Sequence, residues 1–310
     1  MAQRSRVIFG DTTGLQFENP KLKTAKRTRP LVEYLSSDDE NTPVQRLRNL
    51  GGETVLEWPP VVPDFDPRGH RSVRNNYRPG KNAKASKTGL PGYVYSHKAA
   101  GNVPFHSNLE ERLIIALELC PYVVEIRVQY PEWDEARLVR IVEQGGRMSK
   151  SEIMTLDIVA TLKLPGCAEP KYHVISGKPS SLVEKPENQR RHSRERDAVC
   201  SWDATHEVMT ELTVSYSEHG SNLLLLAFMR DVKNIEDWTD SAKAFANALK
   251  RTRIRGSLDR VLNIVSRRFN WDINTGYRIF SIAHFLGYLA WDHNYKLAID
   301  RPMMLKGIRR

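Results

Sequence analysis

Apolar residues are spread unevenly along this chain. Up to about residue 90 they keep no sustained period: Pro59-Pro60, Pro63, Pro67 and Pro79-Gly80 punctuate the chain, and 36–42 is a polar, turn-rich run. This stretch predicts an extended arm with few regular elements. Regular structure is expected from about residue 107, where Leu109, Leu113, Leu117 and Cys120, flanked by Ile114 and Ala116, recur at helical spacing. Residues 122–130 read as a strand closed by Pro131, and the alternation around Leu138 and Ile141 predicts another. Two further strands are expected at 153–163 and 172–176. The turn between them, LPGCAEP, makes the pair a hairpin. A charged helix at 186–204, a strand at 208–216 and an apolar segment at 223–229 follow. Beyond Asn234 the period becomes helical, with helices expected at 242–250, 258–269 and 275–289 and a small hairpin at 291–304. The expected fold is α/β: a mixed sheet flanked by helices, followed by a helical C-terminal part whose three helices and wing suit a winged helix-turn-helix or a plain bundle.

Composition narrows the class. The chain has 310 residues, 40% hydrophobic and 27% charged, enough to bury at least one real core. Lys plus Arg number 47 against 37 Asp plus Glu, a formal charge of +10 and a pI near 9.5. The excess lies at the two ends of the chain, around a nearly neutral middle. A polyanion, nucleic acid first, is the partner such a balance suggests, and a merely solvated basic surface is its competitor. No apolar run approaches the roughly 18 residues of a membrane span. Nor does the start of the chain carry an apolar secretory segment. Cys120, Cys167 and Cys200 form no disulfide framework and no CxxC pair, so a reduced, cytoplasmic protein is expected. The composition shifts suggest three parts: a basic, loop-rich arm over 1–90, a catalytic core over 91–232, and a DNA- or partner-binding part over 233–310.

Three side chains could carry chemistry: Glu110 on the first helix, Asp157 inside an apolar strand, and Lys178 just after the next strand. Asp157 is the most informative, because a carboxylate among residues at least half buried needs a cation, a metal or several donors beside it. If the hairpin pairs, Asp157 and Lys178 reach one edge of the sheet, and Glu110 approaches from the preceding helix. Two acids and a lysine there suit phosphodiester hydrolysis. The carboxylates would hold Mg²⁺, or Mn²⁺ in its place, and the lysine would assist a bound water or the transition state. Each residue also has a structural reading. Ser107-Asn108-Leu109-Glu110 is a capping box, Asp157 could be a buried ion-pair partner, and Lys178 a strand-end lysine.

The wording of residues 92–118, GYVYSHKAAGNVPFHSNLEERLIIALE, adds to this. Its G-x-x-x-S-x-K stretch and S-x-L-E helix resemble the opening of the TnsA family, the endonuclease subunits of heteromeric cut-and-paste transposases. The likeness continues through Val128-Gln129-Tyr130-Pro131, the strand acid Asp157, Lys178-Pro179 and Val208-Met209-Thr210-Glu211, covering about 92–232. The resemblance implies a restriction-endonuclease-like core that cuts the 5′ strands of double-stranded DNA at transposon ends. It implies a DDE-type partner, TnsB, for the other strand, and an AAA+ regulator, TnsC, at the C-terminal part. It also implies Glu110 and Asp157 as metal ligands and Lys178 as the catalytic lysine. One position departs: where the family has Q-x-K, this chain has Ser176-Gly177-Lys178. A DNA- and partner-binding module with a vestigial site, and a stand-alone restriction or repair nuclease, are the alternatives. Arg251, Arg253 and Arg255 are candidate phosphate or partner contacts. Arg190, Arg191, Arg194 and Arg196, with Glu187 and Glu195 among them, read rather as a solvated helix face. His97, His106 and His173 are expected to be structural or DNA-facing, and Trp271 and Trp291 to anchor a core.

Overall fold

The structure is a computed structural model and describes residues 54–85 and 89–306. The basic run at 21–29 and the polar run at 36–42 lie outside the described residues. Regular structure begins earlier than the periodicity suggests, with a hairpin of β1 (Gly92–Ser96) and β2 (Gly101–Phe105). Helix α1 (Asn108–Glu118) follows, capped by Ser107, and then strand β3 (Val123–Glu132). The alternation around Leu138 and Ile141 is not a strand. Asp134 caps a helix there, α2 (Glu135–Glu143), in which Leu138, Ile141 and Val142 keep a helical spacing with no residue fully buried.

Strands β4 (Met154–Leu162) and β5 (Lys171–Gly177) pair antiparallel, as the turn between them predicts. After a short helix α3 (Ser180–Val183), helix α4 (Pro186–Cys200) crosses over to β6 (Ala204–Met209), which runs parallel to β5. A parallel neighbour needs such a crossover. The strand expected at 208–216 is thus displaced towards the N-terminus: Asp203, with φ of 57°, turns the chain out of α4, and Ser215 caps helix α5 (Tyr216–Phe228).

The result is α/β, a mixed four-stranded sheet in the order β3-β4-β5-β6, flanked by helices, beside the two-stranded antiparallel sheet. On one face Leu113, Ile114 and Leu117 of α1 close over Ile126, Val128, Ile158, Ala160 and Ile175. On the other, Leu156, Val159 and Val174 pack with Val199 and Trp202 around α4. Such burial stabilises by about 25 cal/mol per Å² of apolar surface removed from water.

Helices α6 (Thr239–Arg251), α7 (Leu258–Arg267) and α8 (Ile273–Phe285) pack around a separate core with α5. Trp291 is buried in that core and Trp271 packs against it, stacked on Phe269 at 4.6 Å. The hairpin expected at 291–304 is reduced to isolated bridges, Trp291 to Leu305 and Ser257 to Pro302. Among the described residues no helix is long and apolar enough to cross a membrane.

The described part of the arm, 54–85, contains no α-helix and no strand, as its prolines predict, but it is not a solvated tail. The Leu56 N–H donates to the Leu286 carbonyl at 2.9 Å, and Trp58 meets Phe285 edge to face. Gly287, at φ +81°, is what admits this crossing: a Cβ there would lie 2.1 Å from the Thr54 carbonyl. Further on, the arm lines the outer edge of β3. Tyr77 Oη donates to the Val128 carbonyl (3.0 Å), Gly80 N–H to Gln129 (2.7 Å), and Arg68 to Trp133 (2.7 Å), while a His70 ring nitrogen bonds the Pro131 carbonyl (2.9 Å). The arm's Arg68 is spent internally as well, on Glu132 at 2.9 Å.

Candidate functional site

Glu110 is the third residue of α1, and its N–H donates to Ser107 Oγ at 3.2 Å. Its carboxylate does not close the capping box on the Ser107 backbone. It accepts instead from the His106 N–H (2.9 Å) and from Gln129 Nε2 (3.2 Å). The candidate ligand is therefore the residue whose N–H the Ser107 cap accepts, its carboxylate held from the strand side by Gln129.

Asp157 lies where strand alternation slips. Leu156 belongs to the core on one face of the sheet and Ile158 to the core on the other, with no intervening pair of positions. The same slip occurs across the ladder, between Val128 and Tyr130, at Gln129, whose φ is 49°. Both strands change face at one rung, so Val128 still pairs with Ile158 and Tyr130 with Leu156. On its other side β4 parts from β5 after the Ile158–Ile175 pair, and the Gly177 N–H donates to Asp157 Oδ2 at 3.0 Å. The side chain of Asp157 retains only 17% exposure. Burial, and then repulsion from Glu110, push its carboxyl up to about 6, against the pull of Arg191 and the Gly177 N–H.

Gly177 explains how helix and strand come so close. A Cβ there would lie 3.3 Å from Leu113 Cδ1 and 3.7 Å from Glu110 Cγ. Lys178 follows directly. Its N–H donates to the Met209 carbonyl at 3.0 Å, extending the β5–β6 pairing by one step, and its side chain is half-buried. Among the described residues its ammonium makes no hydrogen bond or ion pair. The cation beside Asp157 is Arg191 of α4, with Nη2 3.6 Å from Oδ1. Glu110, Asp157 and the backbone of Gly177-Lys178 thus share one end of the sheet, whereas the lysine head group is not set against either acid.

Several residues here escape a reading of spacing. Arg191 sits in a charge run whose other arginines, Arg190, Arg194 and Arg196, are exposed. Its i,i+4 relation to Glu195 was the available signal, and the two are joined at 2.6 Å (Nε to Oε1). Glu195 is fully buried. Burial alone would raise its carboxyl, but hydrogen bonds from His192, His206 and Ser176 and the charge of Arg191 hold it well below the usual carboxylate range. Ser176 turns away from the acid pair and donates to Glu195 Oε2 at 2.7 Å.

Other candidates are settled locally. His97 is ringed by Trp58, Tyr95 and Phe285, a His106 ring nitrogen bonds the Asn82 carbonyl, and His173 bridges Thr205 and Glu207. Arg251, Arg253 and Arg255 lie at the end of α6 and in its connection to α7, all exposed. Ser96 and Lys98 of the G-x-x-x-S-x-K stretch serve the C-terminal end of α1. Ser96 Oγ donates to Glu118 at 2.5 Å, and Lys98 Nζ donates to the Leu117 and Cys120 carbonyls at 3.2 and 2.6 Å. Lys98 is wholly buried, which lowers its ammonium to about 8 although Glu118 opposes the shift. Comparison with models of known families and with curated proteins finds no match for the chain.

Proposed function

We propose that the chain is a divalent-metal-dependent nuclease acting on DNA, built on a restriction-endonuclease-like core. Within that class, its sequence resemblance points to the 5′-strand-cutting subunit of a heteromeric transposase of the TnsA kind. The observation that carries the reading is the pairing of Glu110 and Asp157 at the parted end of β4 and β5. These two acids come from a helix and a strand, act on each other through their charges, and are only partly compensated by Arg191. Two carboxylates that repel each other at one end of the sheet form an oxygen donor set suited to Mg²⁺ or Mn²⁺. Such an ion would neutralise the scissile phosphate and lower the pKa of a bound water.

The protein's own part is positional. Gln129 and the His106 N–H fix the Glu110 carboxylate, and the Gly177 N–H fixes Asp157. Lys178, unpaired among the described residues at the same strand end, swings to the phosphate when DNA enters and stabilises charge there. Exposed Arg251, Arg253 and Arg255 contact DNA phosphates or a regulatory partner, and the C-terminal helices with their short bridges act as the winged-helix-like part. TnsB-type and TnsC-type proteins are the partners this reading requires.

The test is strand-resolved cleavage of a labelled transposon-end duplex with Mg²⁺ and the co-encoded DDE partner, wild type beside Asp157→Ala and Lys178→Ala. Loss of the 5′-strand cut alone, with folding and DNA binding retained, supports the assignment. Equal products from wild type and both variants overturn it. A second reading, an assembly module with a vestigial site, is favoured by Ser176 facing Glu195 rather than the acid pair. It predicts no divalent-metal binding that depends on Asp157.

A further inference from the structure

Behind the acid pair, on the α4 face of the sheet, lies a second cluster that the proposed chemistry does not use. His192 and Glu195 stand one turn apart on α4, His206 is on β6, and Ser176 is on the adjacent β5, all four buried. We propose that His192, Glu195 and His206 form a structural metal site for a zinc-class divalent ion, with the Ser176 hydroxyl on its fourth side.

The geometry converges on one point. Glu195 Oε2 is 3.2 Å from His192 Nδ1, 3.4 Å from His206 Nε2 and 2.7 Å from Ser176 Oγ, and Ser176 Oγ is 3.1 Å from His206 Nε2. One ligand atom from each of the three metal-binding residues lies within 4.8 Å of the others. Tetrahedral zinc with bonds of about 2.0–2.1 Å sets its ligand atoms about 3.3 Å apart. The two nitrogen–oxygen separations already match that edge, and the two ring nitrogens lie no more than 4.8 Å apart. The remaining ring nitrogens, His192 Nε2 and His206 Nδ1, are buried without a hydrogen-bond partner among the described residues. Among the described residues, His192 is thus aimed at this carboxylate, and His206 at the carboxylate and the hydroxyl.

Donor chemistry selects the ion. Two imidazoles and one carboxylate suit zinc and its first-row neighbours, whereas magnesium and calcium take oxygen ligands. Glu195 also has the supporting contact that metal ligands need, because Arg191 holds its other oxygen, Oε1, at 2.6 Å. Full burial leaves no open position for a substrate. The ion would lock α4 onto β5 and β6 just before Lys178 emerges from β5. The site does not depend on the nuclease reading, and it uses neither Glu110 nor Asp157.

The test uses the full chain, stripped with a chelator, dialysed and titrated with Co²⁺ as a spectroscopic probe. One equivalent giving an intense visible band of four-coordinate cobalt, displaced by one equivalent of Zn²⁺, is the expected result. The band should survive Asp157→Ala, which removes the other acid cluster, and disappear in His206→Gln. X-ray absorption at the zinc edge of the wild type should show two imidazoles with oxygen ligands, and this measurement requires no variant to fold. A folded wild type that takes up no stoichiometric Co²⁺, a band that persists in folded His206→Gln, or an edge spectrum without imidazole overturns the proposal. The cluster is then a hydrogen-bonded core network only.

Discussion

Replacing Asp157 by Asn should make the metal-free protein more stable at neutral and alkaline pH while abolishing any activity that needs the carboxylate. The folded protein holds the Asp157 proton up to about pH 6, against an ordinary value of 3.8. Between those two values the folded state binds more protons than the unfolded state, so stability falls as pH rises through this window and is constant above it. At about 1.4 kcal/mol per pH unit, roughly two units of separation cost the charged form on the order of 3 kcal/mol. Asparagine is free of that cost. Its Oδ1 can still accept the Gly177 N–H, and the attraction to Arg191 at 3.6 Å, from a guanidinium 40% exposed to water, is already contained in the raised value. The expected gain is therefore about 2–3 kcal/mol at pH 8 and close to nothing at pH 4. Urea unfolding of both proteins in chelator-containing buffer at the two pH values measures it directly. A variant that is no more stable than wild type at pH 8, or whose gain is the same at pH 4, would refute the electrostatic account of the acid pair. Mg²⁺ at pH 8 should narrow the gap by stabilising only the wild type, if the pair holds an ion.

The arm and the strand end offer two further checks. Asp66→Ala removes the buried carboxylate that accepts from the Arg68 and His70 N–H groups and from Tyr130 Oη, so about 3 kcal/mol or more should be lost. Amide exchange should accelerate first over 64–80, and exchange that is unchanged there would deny the arm its anchoring role. Gly177→Ala pushes a methyl to 3.3 Å from Leu113 and should cost about 1 kcal/mol in chemical denaturation, with a larger fall in any cleavage activity as α1 is levered from Asp157. Unaltered stability and cleavage would mean that the close approach of helix and strand is not required.

The elements that spacing revealed are those with a strong single signal. Helix α1 follows its Leu109-Leu113-Leu117 stripe and Ser107 cap, and the β4–β5 hairpin follows from its Pro165-Gly166 turn. Alternation misled at 138–141, because a short exposed helix keeps too few apolar residues to distinguish its period from a strand's. For the site, Glu110 and Asp157 were legible as acids on periodic elements, and the charge of Glu110 acts on Asp157. Arg191 and Glu195 were not. Their placement against the sheet depends on which face of α4 meets it, and a helix with charge on most of its faces carries no apolar stripe to declare it. Nor could spacing show the face change at Gln129 and Asp157, since it arises from backbone conformation at a non-glycine residue with positive φ.

The run of contacts between the arm and β3 has a consequence for the company the protein keeps. An outer strand with free carbonyls is a template on which another chain can add a strand. Here Val128, Gln129, Pro131 and Trp133 have their carbonyls taken by Tyr77, Gly80, His70 and Arg68, and the Ile126 N–H is taken by Lys98. The irregular, proline-punctuated chain is well suited to this task, because it occupies the edge without presenting a new one. Cut away, it would leave a row of open valences along β3, and copies of the sheet could then join edge to edge into larger assemblies.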